Sequence, residues 1–305
     1  MPFNKWISGV LLSFLVAGST LAAGRPSEND GVAVRFATNP LHDATLLLDG
    51  EALARLTWND DAPAYPGDLP GSLTARYDSN MEPGRVGWAL PEDWTQDDPF
   101  TAVAVFVIEP EGFVADPFGF FQISWGLWNS QTTGMERTGT LSNFAGDTFE
   151  LVEFDYFPNV SPFFGGPYLS PAVFGVADRD HPLFDLLGSF ANLSFGSLPL
   201  DLPLGVPLAA VIENRPEENA VVFSVQRVTE SGGMLPLPGG VTVLPRSLLS
   251  VDGFSLDTVG LTLWRDGFAG ESPSLRADVT FHSIVARPVR AVGAESVGGA
   301  GVAGN

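Results

Sequence analysis

Apolar and polar residues alternate along most of this chain with a period of two, in short runs, which is the spacing of strands whose faces meet different surroundings. In "LRADVTFHSIVA", residues 275–286, Leu275, Ala277, Val279, Phe281 and Val285 are predicted to face inward, and Arg276, Asp278, Thr280 and His282 outward. "SLDTVGLTLWR", residues 255–265, buries Val259, Leu261 and Leu263 in the same way. "TAVAVFVIE", residues 101–109, is apolar on both faces, as expected of a central strand covered on both sides. The pattern predicts strands near 32–37, 44–48, 53–58, 71–77, 85–90, 101–109, 119–128, 148–157, 207–213, 219–229, 241–245, 256–265 and 275–286. Helix is confined to a short stretch at 181–190, "HPLFDLLGSF", and the Pro- and aromatic-rich 158–175 is expected to be a long ordered loop. Sheets that are wet on one face, without helices to cover them, predict an all-β fold of two antiparallel sheets packed face to face. An outer-membrane barrel would need strands of ~10 residues, each with an outward apolar band. Prolines and unequal strand lengths speak against that.

The first residues follow another pattern. Lys5, the apolar run "WISGVLLSFLVAG" and then "STLAA" have the charged, hydrophobic and small-residue order of a secretory signal peptide. The run is shorter than the ~20 residues that span a bilayer. Residues 1–23 are therefore expected to be cleaved, 24–290 to form the sandwich, and 291–305, ending in "VGGAGVAGN", to form a flexible tail. A secreted or periplasmic location follows, with no membrane insertion of the remaining chain.

Charge narrows the partners. The chain carries a formal net charge of -21, and Lys5 is its one lysine. That disfavours nucleic acid or anionic lipid as a partner, since both are bound by basic patches. A 45% hydrophobic content is too high for a disordered acidic chain. The absence of cysteine removes thiol catalysis, thiolate zinc sites and disulfides, so the core must hold the fold. The three histidines, His42, His181 and His282, lie far apart in sequence, and no G-x-S-x-G or H-E-x-x-H motif occurs.

"TFELVEFDYFPN", residues 148–159, reads as one strand with three carboxylates. Residues two apart share a face, with α-carbons ~6.6 Å apart. Glu153 and Asp155 therefore project together, while Val152, Phe154 and Tyr156 go to the core. Glu150 points the other way unless a bulge resets the register. Two neighbouring carboxylates suit a retaining glycosidase, a hydroxyl-binding site or an ordinary solvated face.

The strand pattern over roughly 30–288 resembles the concanavalin A-like, or laminin-G-like, jelly roll, and "LRADVTFHSIVARP" is similar to the closing strand of many sugar-binding members. The resemblance implies a two-sheet jelly-roll sandwich. Within that superfamily the family 16 glycoside hydrolases carry Glu-x-Asp-x-Glu on a strand of the concave sheet. Glu153 would match the nucleophile and Asp155 the assisting acid. The third position falls on Phe157 or Pro158, neither of which donates a proton.

Aromatic and acidic positions complete the candidates. In "GFFQISWGLWN", Phe121, Ile123, Trp125 and Leu127 form the apolar face, leaving Gln122, Ser124 and Trp128 on the other; Trp264 shares a face with Thr258 and Thr262. An indole beside hydrogen-bonding groups suits a sugar, unless a loop covers the ring. Arg76 and Arg85 lie on polar faces, where each either clamps an acidic sugar or pairs with an acid. His282 is the outward imidazole. Asp60, Asp61 and Asp68 in "WNDDAPAYPGD" are oxygen ligands of the kind calcium takes, so a structural calcium ion is possible while no other cofactor is implied. The expected function is non-catalytic binding of a polysaccharide or cell-surface glycan through Gln122, Trp128, Glu153, Asp155, Trp264, Arg76 and His282. The alternatives are a polysaccharide-cleaving hydrolase using Glu153 and Asp155, and a structural envelope or matrix protein.

Overall fold

The computed structural model describes residues 31–43, 45–62, 70–78, 82–110, 121–133, 150–157, 168–177, 202–246, 251–265 and 276–289. The segments expected to be the signal peptide, the short helix at 181–190 and the tail lie outside these residues. In chain order the strands are β1 (Val32–Arg35), β2 (Leu46–Gly50), β3 (Leu56–Asn59), β4 (Ser72–Asp78), β5 (Gly84–Thr95), β6 (Phe100–Ile108), β7 (Phe121–Trp128) and β8 (Leu151–Phe157). They continue as β9 (Tyr168–Phe174), β10 (Val176–Ala177), β11 (Leu208–Arg215), β12 (Ala220–Val228), β13 (Met234–Pro245), β14 (Val251–Gly253), β15 (Ser255–Arg265) and β16 (Arg276–Pro288).

An eight-stranded sheet runs β13-β12-β11-β6-β16-β4-β3, with β1 also on β16, and a six-stranded sheet runs β2-β5-β15-β7-β8-β9. All pairings among the described strands are antiparallel. The two sheets share one core. Phe106, Ile108, Leu208, Ile212 and Phe223 face inward from the larger sheet, and Trp88, Trp125, Phe154, Val259 and Leu261 from the smaller. Phe154 meets Phe223 across the layer edge to face, with centroids 5.1 Å apart, while its other neighbour Trp125 is stacked at 5.4 Å. Contacts of this kind add to the area that each ring removes from water.

The alternation is therefore legible, with local exceptions. The register of β16 against β6 shifts between Phe281 and Ser283. Ala277, Val279 and Phe281 point to the core as expected, but beyond the shift Ile284 and Ala286 take over and Val285 turns outward to become half-buried. His282 sits at the shift and is buried, not wet. The stretch expected as a strand from 53 begins as a one-turn helix, Ala52–Arg55. The second half of the expected loop at 158–175 is β9, where Leu169 and Val173 pack into the core. Strand β6 is central, yet its outward Val103 and Val105 are only half-buried.

Candidate functional site

The antiparallel register of the six-stranded sheet lines up side chains across its strands, and on the outer face two rows stand out. The first takes one polar residue from every strand: Asp49, Arg85, Thr262, Ser124, Asp155 and Ser170. Two residues further along, the second row is Gly87, Gly260 and Gly126, followed by Glu153 and Ala172.

The glycines leave the sheet bare enough for a ring to lie flat on it. A Cβ on Gly87 would stand 2.8 Å from Trp128 Cζ2, and one on Gly260 2.7 Å from Trp128 Cη2. Trp128 thus reaches across β15 to β5 and is fully buried, with Leu151, Ala172 and Phe174, in a small apolar cluster on the outer face. This corrects the expectation of a water-exposed indole ready to stack a sugar. The cause is the glycine row, which makes contact with the sheet itself available to the ring. Glu153, next to that row, is only 1% exposed, so it is not a solvated partner of Asp155 either.

Asp155 is different. It is half-buried, and Ser124 Oγ donates to its Oδ1 at 2.8 Å. Ser124 and Thr262, its neighbours in the row, are buried. At the other end, Arg85 is held by Asp49 at 3.3 Å, by the carbonyl oxygen of Ser130 at 3.4 Å and by that of Thr133. The guanidinium therefore pairs with an acid and ties down a turn. Trp264 and Gln122 are register partners in β15 and β7, two residues beyond Thr262 and Ser124, and their side chains lie outside the described residues.

The turn at 129–133 is fixed from β15, from β5 and from the residue before β8. Asp257 accepts from Ser130 N at 2.8 Å and from Ser130 Oγ at 2.7 Å. Glu150, buried just before β8, accepts from Ser255 N at 3.0 Å and from Thr132 Oγ1 at 2.9 Å. Arg85 supplies the third hold.

Two candidates fall elsewhere. Arg76 and His282 belong to the eight-stranded sheet, on the other layer from Asp155, because β4 and β16 pair with each other there. Arg76 forms a two-pronged ion pair with Asp278, Nε to Oδ1 at 3.1 Å and Nη2 to Oδ2 at 3.2 Å. Both residues therefore leave the ligand site. Asp60 and Asp61 lie in an exposed turn after β3, with Asp61 N donating to Asn59 Oδ1 at 3.0 Å; Asp68 is outside the described residues. Among the described residues no group of three His, Asp or Glu side chains is arranged to hold a metal ion. Nor is any helix among them long and apolar enough to cross a membrane. On the inner face of β8, burial pushes the Tyr156 phenol well above its ordinary value.

No protein-family model matches the sequence, and no curated protein does. Solved structures do match in shape. The carbohydrate recognition domain of Emp47p superposes with a TM-score of 0.50 at 11% identity, covering 87% of this chain and 99% of that one. The fold is a concanavalin A-like jelly roll. Two further similar structures are lectin I of Ulex europaeus in complex with the methyl glycoside of α-L-fucose (11% identity, 85% of this chain and 98% of that one, TM-score 0.49) and the Lotus tetragonolobus seed lectin (10%, 86% and 100%, 0.47).

Within this jelly roll, sequence reasoning overlooked Thr262, Ser124 and Ser170 as one row with Asp155, and the glycines beside it. The signal was present in "RVGWAL", "QISWGLW" and "DTVGLT", where a glycine takes the outward place in each strand. Only strand order makes the three glycines neighbours.

Proposed function

We propose that the protein is an exported, non-catalytic carbohydrate-binding jelly roll whose ligand is a polysaccharide or a cell-surface glycan. The single observation that carries this reading is the half-buried Asp155 carboxylate, fixed by Ser124 within a polar row on the outer face of the six-stranded sheet. An oriented carboxylate accepts hydrogen bonds from neighbouring hydroxyls, and a charged acceptor makes them roughly twice as strong as neutral ones. Trp264 and Gln122, which the sequence offers as a stacking ring and an amide, are the next register pair along β15 and β7. Trp128, sealed against the glycines, supports the sheet instead.

The name carbohydrate recognition domain carried by Emp47p, the structural neighbour at TM-score 0.50, supports the ligand class. The signal-like order of residues 1–23 and the net charge of -21 support export and a partner other than nucleic acid.

Retention on a panel of immobilised polysaccharides, followed by reducing-end assay of the eluate, tests the reading. Retention without cleavage, lost in Asp155→Asn, is the expected result. Reducing ends that disappear in Glu153→Gln would instead establish a hydrolase. Failure to bind any glycan across a broad panel would leave the structural-component reading.

A further inference from the structure

Between β1 and β2 the chain passes from the eight-stranded sheet to the six-stranded one, and this crossover walls a cleft of about 590 Å³ at the edge of the sandwich. Two indoles anchor the crossover. Trp58 Nε1 donates to the carbonyl oxygen of Phe36, just after β1, at 2.7 Å, and Trp88 Nε1 to that of Pro40 at 3.4 Å. Asn39 caps the one-turn 3₁₀ helix Pro40–His42; its Oδ1 accepts from Leu41 N at 3.0 Å, which leaves its Nδ2 as a donor. Asp43 closes the turn, and its Oδ1 accepts from Thr45 N at 2.8 Å and from Thr45 Oγ1 at 2.9 Å.

Arg35 lines this cleft together with Thr38, Asn39, His42 and Asp43. It is half-buried and faces away from the core, because its neighbours Val34 and Phe36 face in. Arg76, Arg85, Arg215, Arg246 and Arg276 each hold a carboxylate, whereas Arg35 holds none among the described residues, although the chain has 36 acids to 15 bases. Arg227 and Arg287 also hold none, but of these three only Arg35 lines the cleft.

From this set we infer a second binding site, which takes the carboxylate of a single acidic sugar unit of the uronic acid kind. A guanidinium fork matches a carboxylate with two parallel hydrogen bonds. The His42 ring donates from a nitrogen in either charge state, and Thr38 and Asn39 offer a hydroxyl and an amide to the sugar hydroxyls. Ala37 and Pro40 give the C–H face of the ring an apolar wall. Asp43 limits the charge: its carboxylate accepts from a hydroxyl but repels a doubly charged anion, so a monoanion is favoured over sulfate. The volume lies within the ~300–1,000 Å³ of small-molecule sites. The net charge of -21 does not prevent binding, since at ~0.15 M salt charges are screened beyond ~8 Å and the nearby guanidinium decides. Asp155 stands on β8, four strands away from β2, so this site is independent of the proposed polysaccharide site.

Calorimetric titration of the full chain with methyl glucuronide and methyl galacturonide, each beside its neutral parent glycoside, and with inorganic sulfate tests this. At least one uronide is expected to bind with a millimolar dissociation constant, at least about tenfold more tightly than its neutral parent and than sulfate. Arg35→Gln should weaken that binding about tenfold or more, and Asp155→Asn should leave it unchanged. His42→Ala, at an exposed position, keeps the test decisive should Arg35→Gln fail to fold, and should weaken binding by about threefold. The inference is overturned if neither uronide binds, if a neutral parent or sulfate binds as tightly, if Asp155→Asn alone abolishes binding, or if folded Arg35→Gln or His42→Ala binds like the wild type.

Discussion

Ser124 and Asp155 stand opposite each other on neighbouring antiparallel strands, and the serine hydroxyl donates to the carboxylate across 2.8 Å. The bond leaves the carboxylate in one orientation while its residue stays half-buried, accessible from the outer face of the sheet. Asp155→Asn should abolish retention on the bound polysaccharide with little change in melting temperature. Ser124→Ala should weaken retention less, by about tenfold, since it frees the carboxylate to rotate but leaves its charge. Affinity electrophoresis of the two variants beside the wild type measures both effects.

Trp128 should behave as a structural ring. Trp128 is fully buried against Gly87 and Gly260, so Trp128→Ala should cost about 3–5 kcal/mol, read from a denaturant midpoint. Glycan retention should fall only in step with that loss of fold. Loss of retention at an unchanged midpoint would instead make Trp128 a binding residue.

Alanine at Gly260 tests the glycine row itself. Its Cβ would come within 2.1 Å of the Val86 carbonyl oxygen and 2.6 Å of Gly87 Cα, which are backbone atoms that cannot swing aside. Gly260→Ala should therefore destabilise the fold by about 1–3 kcal/mol or more, seen as a lower urea midpoint with an unchanged slope.

Asp257 on β15 and Glu150 just before β8 hold the turn after β7. Asp257→Ala leaves the Ser130 amide and hydroxyl without their acceptor, and should cost about 1–3 kcal/mol. Amide exchange confined to 129–133 should accelerate, because the strands on either side keep their own ladders.

Tyr156 gives a pH-dependent signature. Its hydroxyl is buried on the core side of β8 and has no hydrogen-bond partner among the described residues. Burial raises its pKa above the ordinary value near 10. The folded state therefore favours the neutral phenol: its contribution is fully present below pH ~10 and is lost as pH rises further. Alkaline spectrophotometric titration should show one of the four tyrosines ionising only with unfolding. Tyr156→Phe should remove that step and raise stability by about 1 kcal/mol.

The sequence by itself determined the layers. A period of two fixes which side chains leave the core, so the inward sets of β7, β8 and β15 and the outward places of Ser124, Asp155 and Thr262 were legible without coordinates. It also determined the absence of thiol chemistry and the excess of acid. Local pattern went wrong where one residue changed the register, as at His282, and where a strand looked like a loop because prolines and aromatics filled it, as in β9. What only the tertiary structure decided was adjacency. Alternation says that Trp128 points outward, but strand order puts Gly260 and Gly87 beside it and converts an outward ring into a buried one. By the same physics Arg76 and His282 went to the other sheet: hydrogen-bond pairing between strands distant in the chain chooses the neighbours, and no local spacing encodes that choice.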